Sequence, residues 1–556
     1  GVIVWANSNN SGQTVDLSSG LPVIFTDLQK AWITAINIDI DGSAISSSTA
    51  TRKSATCGLA AAFCLGADGW YIYGAGINNS GTHTYSASGG TSFTAPQISG
   101  AVAILSQAFP NHTPEQIVDR LLASANNTFF STTANVTFAN GVQHGYNTEF
   151  GHGFMDLYAA LVPITSNNFS RSQVYTGRSI GSQGRDAGRT GINLGRSFGN
   201  TLSNSLANQQ YYFYDALNGG FAVNFSDVIS TKSASINLLN QLQSDILRLD
   251  STVFEVQEKS YNYSFSNVLG SNDSKDTNIL SISIDTPSVP IQYFNRLNSD
   301  NAFGLASFNN PFIDSTNGGI GISSEFNYGD KKIMLGFHDS GLRSGLFGES
   351  EQEVKTLAMA MSSSSDNFAN FTVLAGLMIE EDTLLDSKGN GALGFHGTNP
   401  QSLFAGVNFE KVIGNNLAIK FVSTVGYSTL DTPVHSLIGE VSPITSSSFN
   451  LILNKYGIMH DSDRLSVSIG QPNRVETGTM TFRIPELADN QGNIIYANQE
   501  IDLNPSGRQI DFGIDYVTKL DNDLILGFKH TLSKDFNHID SSALNNTVTF
   551  TAKIDF

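Results

Sequence analysis

The sequence predicts a multidomain chain: an α/β domain at the N-terminus, a polar linker, and a C-terminal antiparallel transmembrane β-barrel of about twelve strands. Three observations carry this. The chain ends in a strand of strict polar–apolar alternation that runs to its last residue. Hairpins with the same alternation recur upstream. Around residue 92, a serine stands between a Gly-Gly turn and an apolar helix.

In the terminal strand, Val548, Phe550, Ala552, Ile554 and Phe556 are apolar, and Thr547, Thr549, Thr551, Lys553 and Asp555 are polar. A strand sends alternate side chains to opposite faces, so one face suits hydrocarbon and the other a wet lumen. Phe512, Ile514 and Tyr516 alternate in the same way, and after a turn at Asp521–Asp523 so do Leu524, Leu526 and Phe528. Leu403, Ala405, Val407 and Phe409 pair in pattern with Leu417, Ile419 and Phe421 across Gly414–Asn416. Ile320, Ile322, Phe326 and Tyr328 do so with Ile333, Leu335 and Phe337 across Gly329–Asp330. Longer polar stretches, Glu381–Gly391 and Glu486–Ser506, separate the hairpins. Short turns at one end and long loops at the other is the layout of an outer-membrane barrel. From about Gly318 to Phe556 these segments number roughly twelve, each near the nine to eleven residues that a tilted spanning strand needs. Spanning strands must close, because an open edge leaves backbone groups unpaired in hydrocarbon at several kcal/mol each. No apolar run approaches the roughly 18 residues of a spanning helix.

Charged residues make up 14% of the chain and the net charge is −19, which excludes nucleic acid as a partner class, since both surfaces would repel. Cys57 and Cys64 bound the sequence CGLAAAFC; the spacing suits a small disulfide loop in an oxidising compartment, or two free thiols in a reducing one. No cofactor is expected, and no ligand cluster for a metal stands out.

The segment GGTSFTAPQISG places Ser92 after the flexible Gly89-Gly90 pair and before a helix whose apolar face is Ile98, Val102 and Leu105. Pro96 is expected within the first helical turn, where its missing N–H does no harm. Free N–H groups at a helix start favour developing negative charge, which suits a nucleophile whose reaction makes an oxyanion. The plainer role of such a serine is a helix cap. Downstream, Thr113, Pro114 and Gln116 make a capping box for a second helix.

The set Gly90, Thr91, Ser92, Ala95, Pro96 and Gly100 resembles the nucleophile motif of the subtilases, and the resemblance makes Ser92 the attacking serine. Val2–Asn9, VIVWANSN, looks like the strand and loop that carry the subtilase oxyanion-hole asparagine. That implies the role for Asn9, with Asn7 and Asn10 as neighbours, although Asn-Ser-Asn departs from the family's Ala-Gly-Asn. An Asn-rich turn is the alternative reading of these residues. Gly151–Leu157 resembles the segment that closes many subtilase domains, with His152 structural; CGLAAAFC resembles a paired-cysteine feature of the autotransporters described next. A protease, a linker and a terminal barrel in that order resemble the subtilase-type autotransporters of type V secretion, as do Gln471–Gly478 and Leu503–Arg508.

The resemblance implies residues 1–162 as the C-terminal part of a subtilase passenger, 163–300 as the junction and 301–556 as the barrel. Within the junction, Tyr211–Phe225 is strand-like, and Ile236, Leu239, Leu242, Ile246 and Leu249 form a helical stripe suited to threading the lumen or to packing as a soluble helix. It also implies an outer-membrane location in a Gram-negative bacterium, with the passenger at the surface. The implied partners are the barrel-insertion machinery and protein or peptide substrates. One departure is large. The family's catalytic Asp and His precede the oxyanion strand. Here His83 is the only histidine before Ser92 and lacks a His-Gly-Thr-His setting, and Asp39 and Asp41 come too late. The expectation is that sequence before residue 1 supplies both, and that the chain as it stands is inactive, since a serine without a base is a weak nucleophile. The competing reading is a surface-displayed adhesive passenger on a degenerate protease scaffold.

Overall fold

The computed structural model describes residues 1–42, 44–165, 173–177, 184–231, 280–284, 291–295, 310–314, 320–328, 331–339, 353–365, 368–414, 416–460, 463–488, 493–520, 524–541 and 543–554. The helical stripe of 236–249 lies outside them. The chain divides into two compact units: the first holds residues 1–189, 210–223 and 484–497, the second 190–209, 224–483 and 498–556.

The first unit is α/β. The strand Ile3–Ala6 runs parallel to Trp32–Ile40, which in turn runs parallel to Cys64–Ala67. The central strand is buried along almost its whole length, as a parallel strand covered on both faces must be. Ile33, Ala35, Leu65 and Ala67 meet Ile98, Ala101 and Leu105 of the Thr91–Ala108 helix and Ile117, Leu121 and Leu122 of the Pro114–Ala123 helix in one core. The second helix starts as its sequence requires: Gln116 N–H donates to the Thr113 hydroxyl, and Thr113 N–H donates to Gln116 Oε1 at 2.8 Å. Cys57 and Cys64 are joined by a disulfide with Cα atoms 6.0 Å apart. A second, four-stranded sheet orders 184–186, 173–175, 210–214 and 220–224, so the aromatic stretch around Tyr211 is strand, as its composition indicates.

Among the described residues, the second unit is dominated by a sheet of thirteen strands. They are Leu280–Ile284, Ile291–Asn295, Ile320–Tyr328, Lys331–Asp339, Val354–Ser365, Phe368–Glu380, Gln401–Val412, Leu417–Thr429, Ile444–Tyr456, Arg464–Thr477, Ile510–Leu520, Leu524–Lys534 and Asn545–Ile554. Every neighbouring pair is antiparallel and follows chain order, an up-and-down meander. The three hairpins read from alternation all form, with Phe326 opposite Ile333, Phe409 opposite Phe421 and Tyr516 opposite Phe528.

The exposed face of this sheet is apolar, and its buried face mixes apolar residues such as Leu374 and Phe404 with polar ones. Leu357, Leu403, Val425 and Phe550 are 55%, 57%, 56% and 74% exposed, while Ser402, Thr424, Ser428 and Thr549 are buried. A soluble protein rarely leaves a contiguous apolar face open, and this one crosses many strands. Only a hydrocarbon surround makes the arrangement favourable. Among the described residues, no helix is long and apolar enough to cross a membrane.

Two expected polar stretches carry more structure than alternation reveals. Thr383–Leu384 and Ser387–Asn390 pair within Glu381–Gly391, and Ile494–Asp502 is a strand beside Thr479–Ala488 within Glu486–Ser506. These pieces are short, or mix polar and apolar residues without a clean period, so hydropathy alone does not find them.

Candidate active site

The Thr91–Ala108 helix opens from Gly90, whose φ of +146° lies in the region that favours glycine. The Thr91 amide donates to Asn9 Oδ1 at 2.8 Å, and the Thr91 hydroxyl donates to the Asn7 carbonyl at 2.6 Å. The loop after the first strand and the turn before Ser92 are thus pinned together across more than eighty residues of sequence. Ser92 lies exposed in the first helical turn, and its hydroxyl has no hydrogen-bond partner among the described residues.

The three asparagines are held differently. Asn7 is buried and fully engaged: its Nδ2 donates to the Ala55 and Thr56 carbonyls, and its Oδ1 accepts from Ser8 N–H and the Ser19 hydroxyl. Asn10 closes a local turn by accepting from Gly12 N–H. Asn9 is exposed, with its carbonyl end fixed on the Gly90–Thr91 turn and its Nδ2 without a partner among the described residues.

Pro96 is not in the first turn. The helix begins at Thr91, which makes Pro96 its sixth residue, so the Ser92 carbonyl loses its i+4 donor. The expectation placed the helix start too late because Ser92 looked like a cap, whereas Gly90 is the capping residue.

Sequence reasoning missed a second brace. Asn37 Oδ1 accepts Gly69 N–H at 2.9 Å, and the Gly69 carbonyl accepts Gly90 N–H at 2.8 Å. A Cβ at Gly69 would stand 2.6 Å from the Gly90 carbonyl oxygen. Gly69→Ala should therefore shift the Gly90–Thr91 turn and destabilise this unit by about 1–3 kcal/mol, checked by urea unfolding. An unspectacular Asp-Gly before a strand gave no signal of this role.

The other residues considered lie elsewhere. Asp39 pairs with Lys53 at 3.2 Å, and His83 begins an exposed strand opposite Ile77. His152 is buried: its Nε2 lies 3.1 Å from the Ala62 carbonyl and its Nδ1 2.9 Å from His144 Nδ1, with Tyr146 stacked on the ring. Burial, with His144 adding, pushes the His152 pKa down to about 3, which suits a structural residue held neutral. Among the described residues, no group of His, Cys, Asp and Glu is arranged to hold a metal.

Residues 1–153 match the Subtilase family. No curated protein matches the chain. Among solved structures, a loop-deletion mutant of OmpT, an outer membrane protein of Vibrio cholerae, is similar at 8% identity and TM-score 0.35, covering 53% of this chain and 86% of that one. The beta domain of the Bordetella autotransporter BrkA is similar at 9% identity and TM-score 0.19, covering 53% and 96%. The prenylagaramide maturation protease PagA is similar at 17% identity and TM-score 0.19, covering 29% and 62%. Scores this low do not establish a shared fold; the family match and the apolar exposed face of the sheet stand without them. The stretch that matches the subtilase family, residues 1–153, stands in one chain ahead of a membrane-patterned antiparallel sheet, an organisation consistent with a subtilisin-like autotransporter.

Proposed function

We propose that the C-terminal sheet closes into a barrel in the outer membrane of a Gram-negative bacterium and that the barrel serves export of a serine endopeptidase passenger. The observation that carries the membrane half is the continuous row of large apolar side chains on the exposed face of the sheet, Leu357, Leu403, Val425 and Phe550 among them. On this reading residues 1–162 belong to the passenger, and the barrel starts at Leu280, ahead of the boundary at 301 expected from sequence, because Leu280–Ile284 and Ile291–Asn295 are strands of the same sheet; the junction lies between them. The barrel-insertion machinery is the partner during assembly, and proteins or peptides are the substrates.

In the chemistry proposed, Ser92 Oγ attacks the scissile carbonyl, and Asn9 Nδ2 donates to the oxygen that becomes negative, aided by the free N–H groups of the helix start. The Thr91–Asn9 bond holds Asn9 against the turn that precedes Ser92, which supports the pairing. Ser92 needs a histidine to take its proton, because a serine without a base is a weak nucleophile.

The test is a fluorophosphonate probe applied to bacteria expressing the protein. Labelling in the outer-membrane fraction that disappears in Ser92→Ala supports the protease. An unlabelled protein at the surface contradicts it and favours an adhesive passenger. Asn9→Ala should lower the rate of peptide cleavage by roughly 10²–10³-fold with little change in KM, the usual effect of removing one oxyanion donor.

A further inference from the structure

The unit that holds Ser92 does not end with the family match. Ala123, Phe138 and Val142, all within residues 1–153, share one apolar cluster with Ile164, Tyr175, Tyr212, Tyr214, Ala216, Leu217, Ile494 and Tyr496. Ile494 is 8% exposed in it. The Tyr496 hydroxyl sits 2.7 Å from both the Tyr175 and Gly177 carbonyls and donates to this pair. Asn140 Nδ2 donates to the Ala216 carbonyl at 2.8 Å, and Ala216 N–H donates to the Ile164 carbonyl at 2.9 Å. The catalytic-side unit is thus assembled from three stretches, two of which arrive long after the subtilase segment has ended.

We infer that Ile494 and Tyr496, together with the 210–217 stretch that carries Asp215, anchor the passenger non-covalently, so that a cut in the chain between the subtilase segment and residue 210 does not release it. The buried Ile494 side chain and the Tyr496 hydroxyl shared between two carbonyls are lost together if the segments separate. The enzyme this describes stays on the cell after nicking. It is not a shed protease, and release requires loss of the anchor as well as a cut. The inference rests on the reading of residues 1–162 as an exported passenger.

To test it, a recognition sequence for a site-specific protease is inserted between Gly188 and Arg189, both exposed, in the full chain on cells. Added protease should nick the chain and leave the N-terminal fragment cell-bound. The double variant Ile494→Ser, Tyr496→Ala should shed that fragment at least tenfold faster, and Tyr496→Phe, which keeps the ring, should lie between. Equal shedding by the parent and the double variant overturns the anchor. An un-nicked chain that external antibody cannot reach signals instead that the export reading has failed, so the two failures are separable.

Discussion

Asp215→Ala should lower the stability of the first unit by about 3–5 kcal/mol, the cost of leaving a buried charge without its partner. Arg120 and Asp215 are 0% exposed, with Nη2 and Oδ2 2.7 Å apart. Arg120 also donates through Nε to the Ala160 carbonyl at 2.6 Å and through Nη2 to the Val162 carbonyl, and its guanidinium lies 4.2 Å from the centroid of Phe109. Asp215 accepts from the amides of Ile164, Leu217 and Gly219. Removing the carboxylate strands a guanidinium and three amides at once. Replacing both partners, Arg120→Met with Asp215→Leu, removes the stranded charge and should recover part of the loss. Urea unfolding followed by tryptophan emission measures this unit alone, because Trp5, Trp32 and Trp70 are the chain's only tryptophans and all lie in it. A loss under 1 kcal/mol would show that the pair is not buried in solution.

Acid should unfold the same unit, and His152 should dominate the effect. In the unfolded chain its imidazole takes a proton near the ordinary value of 6.5; in the folded unit, burial and His144 hold it down to about 3. Protons therefore bind the unfolded state first. Stability is full above about pH 6.5 and falls as pH drops toward 3, by roughly 5 kcal/mol in all at 1.36 kcal/mol for each tenfold change. His144 and His112, both lowered by burial, act in the same direction, while Asp119, raised by burial to about 6, takes up its proton in the folded unit first and offsets part of the loss below about pH 6. The tryptophan-detected urea midpoint measured from pH 7.5 to 4 should fall steadily, and His152→Gln should flatten the slope even if it lowers the starting point. A midpoint that stays level or rises on acidification contradicts the assignment.

Much of the sheet was legible because alternation is local information: Val548 through Ala552 declare their two faces without reference to any other strand. The capping box at Thr113 is legible for the same reason, since both of its partners sit within one turn. The candidate site was legible only through a motif; what places Asn9 against Thr91 is a bond across 82 residues, which no periodicity encodes. The brace of Asn37, Gly69 and Gly90 was invisible, because a glycine needed for close approach looks like any turn glycine. So was the Arg120–Asp215 pair: two charges 95 residues apart read as solvated surface until their burial is known. Pro96 misled because a proline near a serine suggests a helix start, and this helix tolerates it one turn further in.

The central claim, a C-terminal sheet with its apolar face in lipid, is tested most directly by spin labels placed singly at residues 402 to 408 in the protein folded into bilayers. Leu403, Ala405 and Val407 belong to the open face, and Ser402, Phe404, Gly406 and Asn408 to the buried one. Collision with dissolved oxygen should alternate with a period of two, high at 403, 405 and 407, and a water-soluble nickel chelate should not reach those three. Oxygen access without alternation, or chelate access at 403, 405 and 407, would contradict the claim.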